Sequence, residues 1–389
     1  MCKKIAYISS AIACFMLTVG NAYANDFSLS GNLSLQHSIN SKDYTRGLLS
    51  ADSKLLYSYT VKDSVSDKFT VGSSVGIDVK LASDVVDDTA NDSSKYLLNV
   101  GANSAYVFLK LPNIGSIEVG LAEPIANSMR VSSSKISVAS GGISGSYLEH
   151  VSLKADSKKY PYGFDKDGTI LVKPGLYIAS ACGHEIGGPV LNYYSPEFKG
   201  FKAGFSYIPK DKDAGGYNDI IDIGIKYENK LSNLNYSFSG VIEHARLNSE
   251  EYNDLVAYNI GLSINYHDFT ILGSYGNLGK SGKKAIPVGT ASYVVLGSEY
   301  YDLGAKFERN GFSISATYFY SNKDLKKNDQ SNTEQHSLSV YALGIEKVLV
   351  DKVSVYSDLI CFAVDRPTSD QQSDQQSGYV FLIGTKFKF

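Results

Sequence analysis

The C-terminal stretch Gly378-Tyr-Val-Phe-Leu-Ile-Gly-Thr-Lys-Phe-Lys-Phe389 decides the fold class. Every second position from Phe381 onward is apolar or aromatic except Thr385, and the intervening positions are Leu382, Gly384, Lys386 and Lys388. Because side chains alternate between the two faces of a strand, this pattern predicts a strand with two different faces. A soluble protein would bury the apolar face in its core, whereas an outer-membrane barrel would turn it to lipid.

The other end of the chain carries the features of an export signal. Two lysines precede an apolar stretch from Ile5 to Val19, and Ala22-Tyr-Ala24 supplies the small residues that signal peptidase recognises. We therefore expect residues 1–24 to be a cleaved signal peptide and residues 25–389 to form one barrel domain.

Composition excludes several classes of protein. The 389 residues include 29 Tyr, 35 Gly and no Trp, a choice that suits strands, turns and water–lipid boundaries. Loss of Lys3 and Lys4 with the signal takes the 37 basic residues to 35 against 40 acidic ones, so the net charge falls from −3 to −5. No nucleic-acid partner is predicted.

Cys182 and Cys361 alone remain after cleavage, and their spacing leaves open whether they pair.

Alternating hydrophobicity along the mature chain predicts sixteen strands. They lie near residues 27–39, 52–62, 68–81, 98–111, 115–121, 188–195, 200–209, 218–228, 233–245, 255–266, 268–276, 291–308, 312–320, 337–347, 352–363 and 378–389. No later segment has the ~20 apolar residues of a membrane helix, so crossing a membrane requires a closed barrel. Tight and long connections alternate. We therefore predict an all-β, 16-stranded antiparallel transmembrane β-barrel with short periplasmic turns, long extracellular loops and a water-filled lumen.

The longest connection covers residues 122–187 and shows little sustained alternation. A loop of this length is functional or disordered. We expect it to be the third loop, folded inward to narrow the lumen.

Two segments that flank this loop resemble the general Gram-negative diffusion porin family. They are Ser104-Ala-Tyr-Val-Phe-Leu-Lys-Leu-Pro-Asn-Ile-Gly-Ser-Ile-Glu-Val-Gly120 and Asn192-Tyr-Tyr-Ser-Pro-Glu-Phe-Lys-Gly-Phe-Lys-Ala-Gly-Phe-Ser-Tyr207. The resemblance implies a homotrimer in the outer-membrane lipid with its third loop in the pore. It also implies that the terminal Phe389 is the signal read by the barrel-assembly machinery. One departure is Leu121, where family members usually carry Arg.

Charged side chains in a narrow pore decide which ions pass more easily. Strand parity turns Lys54, Asp78, Lys80, Glu118, Lys202, Lys386 and Lys388 inward, and the third loop adds the constriction candidates Arg130, Glu149, Asp156, Asp165 and Asp167. The resemblance implies that acidic loop residues face a basic cluster, for which Lys54 and Lys80 are the nearest matches. The competing interpretation of each charge is an ordinary solvated group on a polar wall, because parity fixes the face of a residue but not its height in the barrel.

Matches to catalytic and metal motifs carry little weight. Gly72-Ser-Ser-Val-Gly76 fits the esterase pattern but lies inside an alternating strand with no helix after it. Cys182-Gly-His-Glu185 has no second cluster to complete a metal site. We therefore predict no catalytic residues, no metal and no cofactor, and a protein that is not an enzyme.

The sequence favours an outer-membrane porin for the passive diffusion of small hydrophilic solutes and ions. The alternative is a ligand-selective outer-membrane channel, or a surface antigen or adhesin whose loops bind a host molecule. An outer-membrane enzyme lacks a catalytic group here, and a secreted β-sandwich would need no long inward loop.

Overall fold

The computed structural model describes residues 26–40, 49–62, 69–83, 96–138, 189–210, 218–246, 252–288, 291–327, 333–366 and 374–388. Within these residues the strands are β1 Asp26–Asn40, β2 Leu49–Lys62, β3 Thr70–Ser83, β4 Tyr96–Leu111, β5 Gly115–Leu121, β6 Val190–Tyr194, β7 Phe201–Lys210, β8 Asn218–Leu231, β9 Leu234–Arg246, β10 Tyr252–Asn253, β11 Leu255–Tyr266, β12 Phe269–Asn277, β13 Gly282–Lys283, β14 Ala285–Val288, β15 Ala291–Arg309, β16 Phe312–Lys327, β17 Thr333–Val350, β18 Val353–Arg366 and β19 Asp374–Lys388. One helical turn, α1 Ile125–Ser128, and one 3-10 turn, Ser133–Lys135, follow β5.

Seventeen of these strands form one antiparallel sheet that closes on itself. Each strand pairs with its neighbours, and β1 pairs with both β2 and β19. The last strand therefore meets the first, with Leu33 opposite Phe387 and Ile39 opposite Phe381. This pairing confirms the predicted closed antiparallel barrel. The short strands β10 and β13 pair only with each other.

The two faces of the strands differ as alternation predicts. On β11, Ile260 and Leu262 are exposed, while Asn259 and Gly261, which alternate with them, are buried. The same contrast recurs around the described wall, where exposed positions are mostly aliphatic or aromatic and buried positions are often Ser, Asn, Asp or Gly. In a closed barrel the buried face points into the lumen, so the apolar face is the outer one.

The interior is not uniformly polar. Phe319, Val340, Ile360 and Leu382 share the inward parity of their strands and are almost completely buried. These residues belong to the apolar core together with Ile125 and its neighbours, so the core lies inside the barrel.

Tight turns join the strands at one end of the barrel. Asn310 and Gly311 both have positive φ, 52° and 69°, between β15 and β16. Two positive-φ residues in a two-residue hairpin match the right-handed twist of the strands, and Asn-Gly is the sequence that suits such a turn.

Two hairpins at the other end are longer than alternation predicts. The polar stretches 321–336 and 364–377 were expected to be loops, but β16 continues to Lys327 and β18 to Arg366. The ladder pairs Asp324 with Gln335 and Asp365 with Gln375. Backbone hydrogen bonds between strands do not require an apolar face, so a strand can continue where both of its faces meet water. Hydrophobic alternation therefore does not predict the last residues of these strands.

Candidate functional site: the lumen and its inner segment

Residues 122–138, here called the inner segment, run from the end of β5 across the inside of the barrel. Their contacts begin on β7 and β8 and end on β16, β17 and β19, which lie far around the ring. Only a path through the lumen reaches inward side chains on all of these strands. The inner segment therefore occupies part of the channel cross-section.

Side chains of the wall hold the first half of the inner segment through its backbone. The N–H of Ile125 donates to Ser206 Oγ at 2.6 Å, and the N–H of Ala126 donates to Asp222 Oδ2 at 3.2 Å. One strand further, the N–H of Val131 donates to Ser239 Oγ at 3.1 Å. These acceptors lie on β7, β8 and β9, so each successive strand holds a later part of the segment.

The second half is held in the same way on the other side of the lumen. The N–H of Ser133 donates to Asp302 Oδ2 at 2.8 Å, and its hydroxyl donates to Asp302 Oδ1. The N–H of Val138 donates to Ser315 Oγ at 2.9 Å, while the Val138 carbonyl accepts from Lys386 Nζ. A buried backbone group without a partner is costly, so these polar wall residues offset the burial of the segment.

Glycines on the wall make room for the side chains of the inner segment. A Cβ at Gly204 would lie 2.6 Å from both Ile125 Cδ1 and Met129 Sδ, and one at Gly224 would lie 2.8 Å from Ile125 Cγ2. Gly261, Gly304 and Gly344 stand under later residues of the segment in the same manner. We call these five wall residues the glycine track. A side chain at any of them would overlap the inner segment and displace it toward the open lumen.

Arg130 is buried against the wall, with 3% of its surface exposed. Its guanidinium hydrogen-bonds the hydroxyl of Tyr300 and lies close enough to Asp302 for the two charges to interact. Asp302 therefore combines two functions: it accepts from Ser133 and balances the charge of Arg130. A buried charge requires such pairing because desolvation is expensive.

Lys135 and Glu123 are the exposed charged side chains of the inner segment. Lys135 Nζ donates to the carbonyls of Ser128 and Arg130 at 3.2 and 2.9 Å. Partial desolvation lowers the pKa of Lys135, an effect that the carboxylate of Glu123 opposes and the charge of Arg130 reinforces. The edge of the segment thus presents one cation and one anion to the lumen.

Glu118 is a sequence-predicted residue whose side chain adjoins the start of the inner segment. Its Oε2 accepts from Asn192 Nδ2 at 3.1 Å, and the same amide donates to the Glu123 carbonyl at 2.9 Å. Glu118 is therefore beside the start of the inner segment, on the inward face of β5.

The wall candidates on β2 and β3 are located by register. Lys54 stands opposite Asp78, and Lys80 stands opposite Asp52. Each predicted lysine thus has an acidic residue at the facing position in the register, and its place in a basic cluster stays a prediction. Glu149, Asp156, Asp165, Asp167, Cys182 and Phe389 lie outside the described residues.

Two inward lysines have specific partners. Lys386 Nζ lies 3.2 Å from Glu346 Oε2 and 4.7 Å from the centre of the Tyr356 ring, in addition to its bond to Val138. Lys202 Nζ lies 4.7 Å above the Tyr194 ring. Lys386 therefore clamps the end of the inner segment, a role that strand parity alone could not distinguish from that of a pore charge.

Sequence reasoning missed the wall acceptors Ser206, Asp222, Asp302 and Ser315. Their inward parity is visible in the sequence, and so is the nearby recurrence of Gly. What the sequence lacks is the identity of their partners, since Ser133 and Asp302 are 169 residues apart.

The outer face carries two sets of aromatic contacts. On the long-loop side, ring centroids 5.2 to 6.4 Å apart connect four tyrosines on successive wall strands: Tyr258, Tyr275, Tyr301 and Tyr320. Near the tight turns, similar pairs join Phe201 to Tyr227, Tyr227 to Tyr236 and Phe269 to Phe307. Aromatic girdles that flank an apolar band are typical of a barrel in a lipid bilayer.

In the described part of the chain, no helix is long and apolar enough to span a bilayer. The same residues contain no group of three or more His, Cys, Asp or Glu placed to hold a metal ion.

A closed antiparallel barrel with an apolar outer band and a polypeptide segment across its lumen defines an outer-membrane channel protein. Residues 10–348 match the family model described as Gram-negative porin. The chain belongs to the Gram-negative porin family. It therefore forms a diffusion channel of the outer membrane and is not an enzyme.

Curated relatives add no further function. An uncharacterised protein of Rickettsia conorii is 24% identical over 361 residues, which covers 74% of this chain and 76% of the relative. A second one, from Rickettsia typhi, is 24% identical over 366 residues with the same coverage.

Solved structures share the fold. OmpF of Salmonella typhi in complex with daunomycin aligns with a TM-score of 0.61 at 12% identity, over 94% of this chain and 98% of that one. The trimer form of OmpT from Vibrio cholerae gives 0.57 at 12% identity over 94% and 100%. The anion-selective porin of Comamonas acidovorans gives 0.56 at 16% identity over 94% and 99%.

Proposed function

We propose that this protein is a homotrimeric, sixteen-stranded diffusion channel in which the inner segment sets the size limit for small hydrophilic solutes and ions. The observation that carries the proposal is the row of hydrogen bonds that fixes the inner segment across the lumen, from Ser206 on β7 to Lys386 on β19. A segment fixed at both sides of a channel narrows it without closing it.

The proposed count of sixteen includes only the strands that run along the barrel wall. The short strands β10, β13 and β14 lie in the connections on the long-loop side, and setting them aside leaves sixteen. A barrel of sixteen strands encloses a water-filled lumen, while eight strands are filled by their own side chains.

In a trimer, neighbouring copies of the chain would cover the part of the wall where the strands are shortest. β5 has seven residues and β6 has five, fewer than the ~9–11 that a tilted membrane strand needs. Their outward side chains are apolar and exposed, among them Ile117, Val119 and Leu191. Neighbouring copies of the chain would cover this sector, and the trimeric state of the Vibrio cholerae OmpT structure supports that arrangement.

The remaining features of the proposal concern export and the pore charges. Residues 1–24 serve as the cleaved signal peptide, residues 122–187 as the third loop, and Phe389 as the signal for barrel assembly. Deletion of Phe389 should therefore impair insertion more than conductance. The proposed pore charges include the nine predicted at Lys54, Asp78, Lys80, Glu118, Arg130, Glu149, Asp156, Asp165 and Asp167.

Planar-bilayer recording tests the channel function. Detergent-solubilised trimers should insert in steps of equal conductance, and exclusion of neutral polymers of graded size should give the limit set by the inner segment. Folded trimers that insert but do not conduct would contradict the proposal. A reversal potential in a salt gradient then gives the sign of the ion preference.

A ligand-selective channel is the second candidate function. A polar cavity with charges of both signs at the tight-turn end of the lumen favours it.

A further inference from the structure

A cavity of about 660 Å³ opens at the tight-turn end of the barrel, away from the inner segment. Its size falls within the ~300–1,000 Å³ of sites that hold small ligands. It is lined by the β6–β7 and β8–β9 turns and by the inward side chains that follow them on β9 and β11. A solute that has passed the inner segment meets this cavity before it leaves the channel.

The lining consists of two adjacent rows of side chains. Register aligns Glu228, Ser237 and Ser263 in one row, and Lys230, Asn235 and Asn265 in the next. Strands lie ~4.8 Å apart and a two-residue step along a strand is about 7 Å, so the six groups cover a patch of roughly 10 by 7 Å. The patch has the dimensions of a small organic solute.

The two rows carry opposite charges with neutral polar groups beside them. Glu228 is fixed by Lys226, with Oε1 2.6 Å from the lysine Nζ, yet its side chain remains 60% exposed. Asn235 Nδ2 donates to Asn265 Oδ1 at 3.3 Å, which leaves the Asn235 carbonyl oxygen available. Within the described residues, Ser237 Oγ is buried and has no hydrogen-bond partner.

The rim repeats the pairing of charges. Glu197 and Lys199 lie in the turn between β6 and β7 and line the same cavity. Lys199 has a positive φ of 51°, and its Nζ lies 5.4 Å from the centre of the Phe198 ring. The cavity lining thus contains two carboxylates and two ammonium groups, and a third ammonium group, that of Lys226, pairs with Glu228 beside it.

We propose that this cavity is a binding site for zwitterionic solutes of the size of a dipeptide. The proposal deepens the channel function and depends on it. The ammonium end of a dipeptide would lie at Glu228 and the carboxylate end at Lys230, since an extended dipeptide spans about 7 Å, the same as the step between the rows. The peptide group between them would bond to Asn235 and Ser237. An anion or a cation alone would meet a repelling charge in the neighbouring row. A neutral sugar would form no ion pair with Glu228 or Lys230.

Current recordings on the folded trimer in a planar bilayer test the site. Diglycine added on the tight-turn side should reduce the single-channel current in a saturable manner. Glu228→Gln and Lys230→Gln should each weaken this block roughly tenfold, because each removes one charge-assisted hydrogen bond. Asp351→Asn and Lys352→Gln make the same charge changes in an exposed turn at the same end of the barrel, and the block should persist in both.

Three outcomes would overturn the proposal. The first is an equal block by N-acetyl-diglycine amide, which has no charged ends. The second is a block by sucrose at concentrations where diglycine has no effect. The third is a current that diglycine never reduces in channels of normal conductance. The absence of any conductance would instead contradict the channel function itself, so the two failures are distinguishable.

Discussion

The carboxylate of Asp302 accepts two hydrogen bonds from Ser133, one from its backbone N–H at 2.8 Å and one from its hydroxyl. Asp302 is completely buried on the inward face of β15, and Ser133 begins the 3-10 turn of the inner segment. Because one carboxylate satisfies both donors and balances Arg130, this contact fixes the middle of the inner segment.

Asp302→Ala should loosen the inner segment. The change leaves the N–H and the hydroxyl of Ser133 buried without their acceptor, at a cost of about 1–3 kcal/mol, and removes the negative charge near the Arg130 guanidinium. We expect greater current noise and a larger size limit in neutral-polymer exclusion, with trimers still formed. Asp351→Ala, in an exposed turn, is the control. Identical noise in both variants would show that Asp302 does not hold the segment.

Gly204→Val should displace the start of the inner segment. A valine side chain would overlap Ile125 and Met129, and overpacking of this kind costs about 1–3 kcal/mol. The expected result is a lower conductance, because the segment moves toward the open lumen. Gly240→Val is the matched control, since the nearest atom to its Cβ is 3.9 Å away. Equal conductance in the two variants would refute the glycine track.

Lys386→Met should release the far end of the inner segment. It removes the bond to the Val138 carbonyl and the 3.2 Å ion pair with Glu346, both in a partly buried place. In a double-mutant cycle with Glu346→Gln, measured by urea unfolding in detergent, the coupling should be about 0.5–3 kcal/mol. Additive effects would mean that the two side chains do not interact.

Ion selectivity should shift toward cations at alkaline pH. The pKa of Lys135 is lowered by desolvation, so its ammonium loses its proton before an ordinary lysine with a pKa of about 10.4 does. Reversal potentials measured from neutral pH upward should therefore move in the cation-selective direction before lysines with an ordinary pKa titrate. Lys135→Met should already be shifted at neutral pH and should lack this step. A wild-type curve parallel to that of the variant would exclude Lys135 as a pore charge.

The outer wall was predictable because lipid imposes one rule on every strand. Alternation predicted a strand at residues 255–266, on which Ile260 and Leu262 are exposed, and a closed barrel requires the last strand to meet the first, as Leu33 and Phe387 do. The ends of some strands were not predicted, because both of their faces meet water and hydrophobic alternation stops there, as at the pair Asp324 and Gln335.

The lumen was predictable only as far as parity. Parity turned Lys386 inward, but its contact with Val138 joins residues 248 apart and leaves no local pattern. Arg130 was expected among the pore charges, and its position beside Tyr300 depends on the path of the whole inner segment. Which wall residue meets which loop residue is a property of the closed barrel, which no short stretch of sequence contains.

The contact between Lys386 and Val138 also orders events during biogenesis. Lys386 belongs to the last strand, whereas Val138 is made when barely a third of the chain exists. The Lys386 bond at the far end of the inner segment therefore cannot form until β19 is in place. We expect a barrel whose last strand is not yet in place to be more permeable than the finished one, because its inner segment is not yet held at the far end.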